Sequence, residues 1–170
     1  MSNNNSNKTY KVDVMRFLDA ADIRYQMRGD TFILPYNVDG DEWITAIKVN
    51  NAQDTICIYS MYPQNAPADR LSAVCEFITR ANYDLQIGNW ELDIRDGECR
   101  FKTSVDVEGS EDVPALMKQL LRRNLATFRR YVPGIRRVIN GGNAKDCCDE
   151  CERGGGATAA ALIQLLAALQ

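Results

Sequence analysis

The stretch Gly88-Asn89-Trp90-Glu91-Leu92-Asp93-Ile94-Arg95-Asp96-Gly97-Glu98-Cys99-Arg100-Phe101-Lys102 decides the fold class. Trp90, Leu92 and Ile94 alternate with Glu91, Asp93 and Arg95, and Cys99, Phe101, Thr103 and Val105 alternate with Arg100, Lys102 and Ser104. A period of two sends one set of side chains to a buried face and the other to water, and Asp-Gly between two such runs is hairpin-turn composition. The spacing predicts two antiparallel strands, each with one apolar face. Upstream, Ala81-Asn82-Tyr83 reads as the end of a helix. Downstream, Ser110-Glu111-Asp112 reads as the start of another, its carboxylates at the positive end of the helix dipole.

In that last helix Val113, Leu116, Met117, Leu120, Leu121, Leu125, Phe128 and Val132 recur at the helical period and define a wide apolar stripe. Arg122, Arg129 and Arg136 form one row spaced by seven, Arg123, Arg130 and Arg137 a second, and both drift slowly along the opposite surface. Pro133-Gly134 is expected to kink or break the helix there. The six arginines are the candidate protein-binding face, suited to an acidic protein segment or a phosphate-bearing ligand. The competing reading is a solvated face whose arginines pair with the chain's own carboxylates.

Toward the N-terminus, Tyr10, Val14, Phe17, Leu18 and Ala21 mark a first helix over about 8–21. Runs near 24–28, 31–36, 42–49 and 55–61 are rich in β-branched and aromatic residues, with turns at Gly29-Asp30 and Asp39-Gly40. Pro67 opens a second helix in which Leu71, Val74, Cys75 and Ile78 line one face. The expected fold is α+β: an antiparallel β-sheet of about five strands flanked by helices, in the order α-β-β-β-α-β-β-α. Residues 1–8 are expected to be a disordered N-terminus and 9–141 the folded domain, followed by a Cys/Gly-rich linker over 142–156 and an apolar helix over 157–170.

Composition narrows the function. A chain of 170 residues with 45% hydrophobic and 25% charged content is long enough to bury a sizeable core, and a net charge of −3 gives no general attraction to nucleic acid or anionic membrane. Ser2 to Lys8 carries no apolar core of a signal peptide, so a cytoplasmic location is the default. The chain has no histidine, which removes Ser-His-Asp and Cys-His catalysis and every metal site built on imidazole. An enzyme is not expected, and no catalytic residue is nominated.

Cys57, Cys75 and Cys99 fall inside apolar-patterned elements and are expected to be buried. Cys147, Cys148 and Cys151 stand together beyond the last expected strand and helix, with Cys-x-x-Cys spacing that suits zinc or a small redox disulfide. Four ligands are not at hand for a closed zinc site, and neighbouring carboxylates raise thiol pKa, so an incidental linker is the third reading. Residues 157–170 lack charge and any polar face, and are shorter than the about 20 residues that cross a bilayer. Leu162, Leu165 and Leu166 of this segment are candidate protein-binding residues, to be covered by the chain's own domain, a second subunit or a client.

The pattern over about Tyr10 to Gly141 resembles the YbjN domain family, carried by Asn82, Gly88, Trp90, Asp93, Gly97, Arg100 and Tyr131-Val132-Pro133, with Ile23-Arg24-Tyr25 similar to the family's Gly-Ile-x-Tyr start. Ala21-Asp22 here replaces that glycine. The resemblance implies a sensory-transduction regulator with a fold similar to type III secretion chaperones. It also implies a non-catalytic protein-binding domain, chaperone-like or a regulatory adaptor, acting as a homodimer on a protein client. The alternative is a metal- or thiol-dependent regulator using Cys147, Cys148 and Cys151, with zinc as its cofactor. A nucleic-acid partner is disfavoured because no aromatics interleave with the arginines.

Overall fold

The computed structural model describes residues 10–38 and 40–154. The expected N-terminal tail, Gly155, Gly156 and the apolar segment with Leu162, Leu165 and Leu166 lie outside the described residues. Helix α1 (Tyr10–Ala20) leads into a meander of β1 (Gln26–Arg28), β2 (Thr31–Val38), β3 (Asp41–Asn50) and β4 (Thr55–Met61). A 3₁₀ turn (Ala68–Arg70) continues into α2 (Leu71–Tyr83), followed by β5 (Asn89–Leu92), β6 (Cys99–Asp106), α3 (Val113–Ile139) and α4 (Ala144–Arg153). The strands form one antiparallel sheet in the order β1-β2-β3-β4-β6-β5. The α+β class stands, with six strands because three residues before Gly29 pair with β2.

One sheet face is the floor of the core. Cross-strand neighbours Phe32, Ile47 and Ile58, with Val49, Ile56, Phe101 and Trp90, are buried beneath the helices. The α3 stripe supplies Met117, Leu121, Leu125 and Phe128, and the Phe128 ring centroid lies 5.4 Å from that of Trp43 and 5.5 Å from that of Trp90. Full burial of each such side chain contributes about 1.5–3 kcal/mol. At the centre of this interface sits a polar residue, Asn124, with no exposed surface. Its Nδ2 donates to Thr103 Oγ1 at 3.1 Å and to the carbonyls of Ile58 and Phe101, while Oδ1 accepts from Ser60 Oγ at 2.6 Å. Since the one Ser60 proton goes to Asn124, Thr45 Oγ1 donates to Ser60 at 2.8 Å, and Thr45 accepts from Trp43 Nε1 at 3.1 Å. This chain of bonds spans three strands and fixes the register of α3 on the sheet, since sliding the helix would strand every member without a partner.

Four expectations are corrected. The hairpin strand ends at Leu92, and Ile94 is 71% exposed. Asp93 accepts from the Arg95 amide at 2.9 Å, and the Gly97 amide donates to the Asp93 carbonyl at 2.7 Å, so Ile94–Gly97 is a loop rather than a strand end and two-residue turn. Gly97, at φ 82, lies so close to Ala66 that a Cβ would sit 2.1 Å from its carbonyl oxygen. The second correction is that Pro133-Gly134 does not break α3, which runs on to Ile139. The proline is exposed, and Gly134 is not a break but a notch: a Cβ there would lie 2.6 Å from Cys151 Sγ and 2.7 Å from the Phe77 ring.

The third concerns the expected linker over 142–156, most of which is α4, capped by Asn143 accepting from the Asp146 amide at 3.1 Å. It packs on α2 and α3 with Ala144, Cys147, Cys148 and Cys151 buried in the main core, so the folded domain extends past residue 141. Fourth, Cys75 is exposed and Cys57 half-buried, whereas Cys99 is buried as expected, because α2 turns Val74, Phe77, Ile78 and Ala81 inward instead.

Candidate functional site

The helices cover one face of the sheet, and no described element packs on the other. Pairing registers place Pro35, Ile44 and Met61 in one row across that face and Ile33, Ala46 and Tyr59 in the next. These six form a contiguous apolar strip, in which Ile44 is 45% exposed and Ile33, Ala46, Tyr59 and Met61 are half-buried. The rows continue into Arg100 and Lys102 on β6 and Glu91 and Asn89 on β5. Arg100 Nε donates to Glu91 at 2.7 Å and its guanidinium lies 4.7 Å from the Tyr59 ring centroid, so an ion-paired border runs along the strip. Lys102 pairs with Glu91 at 3.6 Å.

A second concave feature lies at the end of the sheet, between α3, residues 40–43 and the segment after β4. This cleft has a volume of about 410 Å³. Trp43, Tyr62, Phe128 and Val132 form its apolar walls, and Arg129 and Arg136 its cationic side. Arg136 bridges the mouth to Asp41, and Tyr62 lines the cleft with it.

The six arginines of α3 do not make one face. Arg130 donates to the carbonyls of Cys151 at 3.0 Å and Glu152 at 2.8 Å, capping the negative end of α4. Arg137 pairs with Glu150, and Arg136 with Asp41, 95 residues away in sequence. Arg129 lines the cleft. Arg122 and Arg123 are exposed and hold no ion pair among the described residues. The wide spacing of partners is why the sequence could show the rows and not their use.

The three tail cysteines are packing residues by their surroundings. Cys151 Sγ faces the Gly134 notch and lies 4.0 Å from the Tyr131 carbonyl, while Cys147 Sγ sits against Gly142. Burial, with Glu152 beside it, pushes the Cys148 thiol up to about 12, and burial raises Cys151 too. A thiolate is the form that binds zinc or attacks a disulfide, so this setting disfavours both. Among the described residues no group of three His, Cys, Asp or Glu could hold a metal ion. Cys147, Cys148 and Cys151 are each buried in the core, where their side chains serve the packing of α4.

The residues missed by the sequence reading are Trp43, Tyr62 and Asp41 in the cleft and Ile33, Pro35, Ile44 and Met61 on the open face. The open face carried a signal, since Ile44, Ala46, Tyr59 and Met61 are apolar at positions where a one-sided sheet would be polar.

The described residues form an α+β fold with one sheet face covered by helices and one that no described element covers. The chain belongs to the YbjN family, described as "Putative bacterial sensory transduction regulator", whose model matches residues 12–137. No curated protein matches the chain. Among solved structures, one similar chain is from the "HopA1-SchA Chaperone-Effector Complex", at 17% identity and a TM-score of 0.46, covering 78% of this chain and 96% of that one. Another is YbjN, "a putative transcription regulator from E. coli", at 15% identity and a TM-score of 0.47, covering 84% and 93%. No helix among the described residues is long and apolar enough to cross a membrane.

Proposed function

We propose that this protein is a non-catalytic, cytoplasmic regulator that acts by binding protein, and that it works as a homodimer joined through the uncovered sheet face. One observation carries the reading: Ile33, Pro35, Ile44, Ala46, Tyr59 and Met61 are neighbours on a face that nothing in the chain's described residues covers. Soluble proteins rarely leave such a strip to water, and a sheet face packs on a second sheet about 10 Å away with good complementarity. A two-fold axis through the strip would set each copy's apolar residues against the other's. The Arg100–Glu91 border would form the polar rim. The family description, which is regulatory and names no reaction, agrees with a binding role.

The regulatory part is tested by affinity capture from the native cell with identification of the recovered proteins, using the wild-type chain, the Ile44→Glu variant and a chain ending at Gly154. The shortened chain is cut there because α4 belongs to the core. A defined client held by wild type supports the regulator. Recovery of nucleic acid in place of protein contradicts it.

A further inference from the structure

The structure assigns the cleft beside α3 as a binding site for a small organic acid, a carboxylate carried on an apolar body. This site is separate from the sheet face and does not depend on the homodimer.

Its volume of about 410 Å³ falls within the range of small-molecule sites, and its make-up is theirs: apolar walls with a few polar groups placed to orient a ligand. Trp43, Phe128 and Val132 would take the apolar body. The polar anchor is Arg136, whose planar fork matches a carboxylate. In the structure that fork already holds one, the Asp41 side chain, which reaches it from the far side of the mouth. Arg136 is 50% exposed and Asp41 38%, and an ion pair so open to water is held weakly. Asp41 therefore occupies the place of a ligand carboxylate and is a displaceable competitor for it. An incoming acid that also buries an apolar body gains what Asp41 cannot, and exchanges one carboxylate for another on the same guanidinium.

The probe is 3-phenylpropionate, titrated into the ¹⁵N-labelled full chain, with the neutral 3-phenylpropanamide as control. The acid is expected to give saturable shifts at the Trp43 indole and the Gly40 amide, with the amide at least about tenfold weaker, the scale of one charge-assisted hydrogen bond. Arg136→Gln, an exposed change whose fold the same spectra report, should bring the acid down to the level of the amide. Asp41→Asn should tighten the acid, because the internal competitor is gone. Absence of saturable shifts, equal binding of acid and amide, or an unchanged affinity in Arg136→Gln would overturn the assignment. An Asp41→Asn variant that binds no better would overturn the exchange of carboxylates on Arg136.

Discussion

Asp22 follows α1 at φ 51, a left-handed conformation that an L-residue with a side chain adopts at a cost. It stands where the family pattern has glycine, and the side chain is exposed, so nothing visible repays the strain. Asp22→Gly is expected to raise stability by about 0.5–1 kcal/mol, read from the urea midpoint at constant slope. Gly134 presents the opposite case. Glycine inside a helix costs about 1 kcal/mol relative to alanine, so Gly134→Ala would stabilise if the site were open. It is not open: the new Cβ would press on Cys151 Sγ and Phe77 at 2.6 and 2.7 Å, and overpacking of this kind costs about 1–3 kcal/mol. The clash outweighs propensity, and Gly134→Ala should destabilise by about 1–2 kcal/mol in the same assay. A gain in stability would show that α4 does not sit in the notch.

At the scale of elements, legibility followed periodicity. The β5–β6 alternation and the α3 stripe could be read because their apolar residues are ones that burial commonly selects. Helix α4 carried the same kind of signal, with Ala144, Cys147, Cys148 and Cys151 at i, i+3, i+4 and i+7, but three cysteines in five residues drew a chemical reading instead of an apolar one. The long run of α3 through Pro133 was hidden for a related reason, since a proline on the exposed side forgoes one hydrogen bond while tertiary packing holds the rest. The cleft was illegible because its walls come from three separate parts of the chain. The role of α4 can be checked by thiol reactivity. A disulfide reagent at pH 8 should modify Cys75 quickly and Cys57 slowly, leaving Cys99, Cys147, Cys148 and Cys151 until the protein unfolds. Rapid reaction of the last three would place α4 off the core. The pH dependence has a definite sign. Burial holds Cys99 and Cys148 up at about 12 in the folded protein, against an ordinary value near 9. These thiols therefore stabilise the fold fully below pH 9, and that contribution is lost as pH rises toward 12. The urea midpoint should fall over this window, and less so when Cys148 is replaced by alanine.

Among the described residues the molecule is a two-layer structure with helices on one side of the sheet only. The Asn124–Ser60–Thr45–Trp43 chain and the aromatic cluster around Phe128 commit the inner face, and α4 braces the helix layer from outside through Arg130 and the cysteine contacts. What remains is an apolar strip in a rim of paired charge. The measurement that bears most directly on its purpose is the mass of the full chain by light scattering over the micromolar range, beside that of Ile44→Glu. The account predicts a dimer for wild type and a folded monomer, with an unchanged circular dichroism spectrum, for the variant, since a carboxylate at the centre of the interface would be buried without a partner. A wild-type monomer throughout that range, or a variant that remains as fully dimeric as wild type, would contradict it.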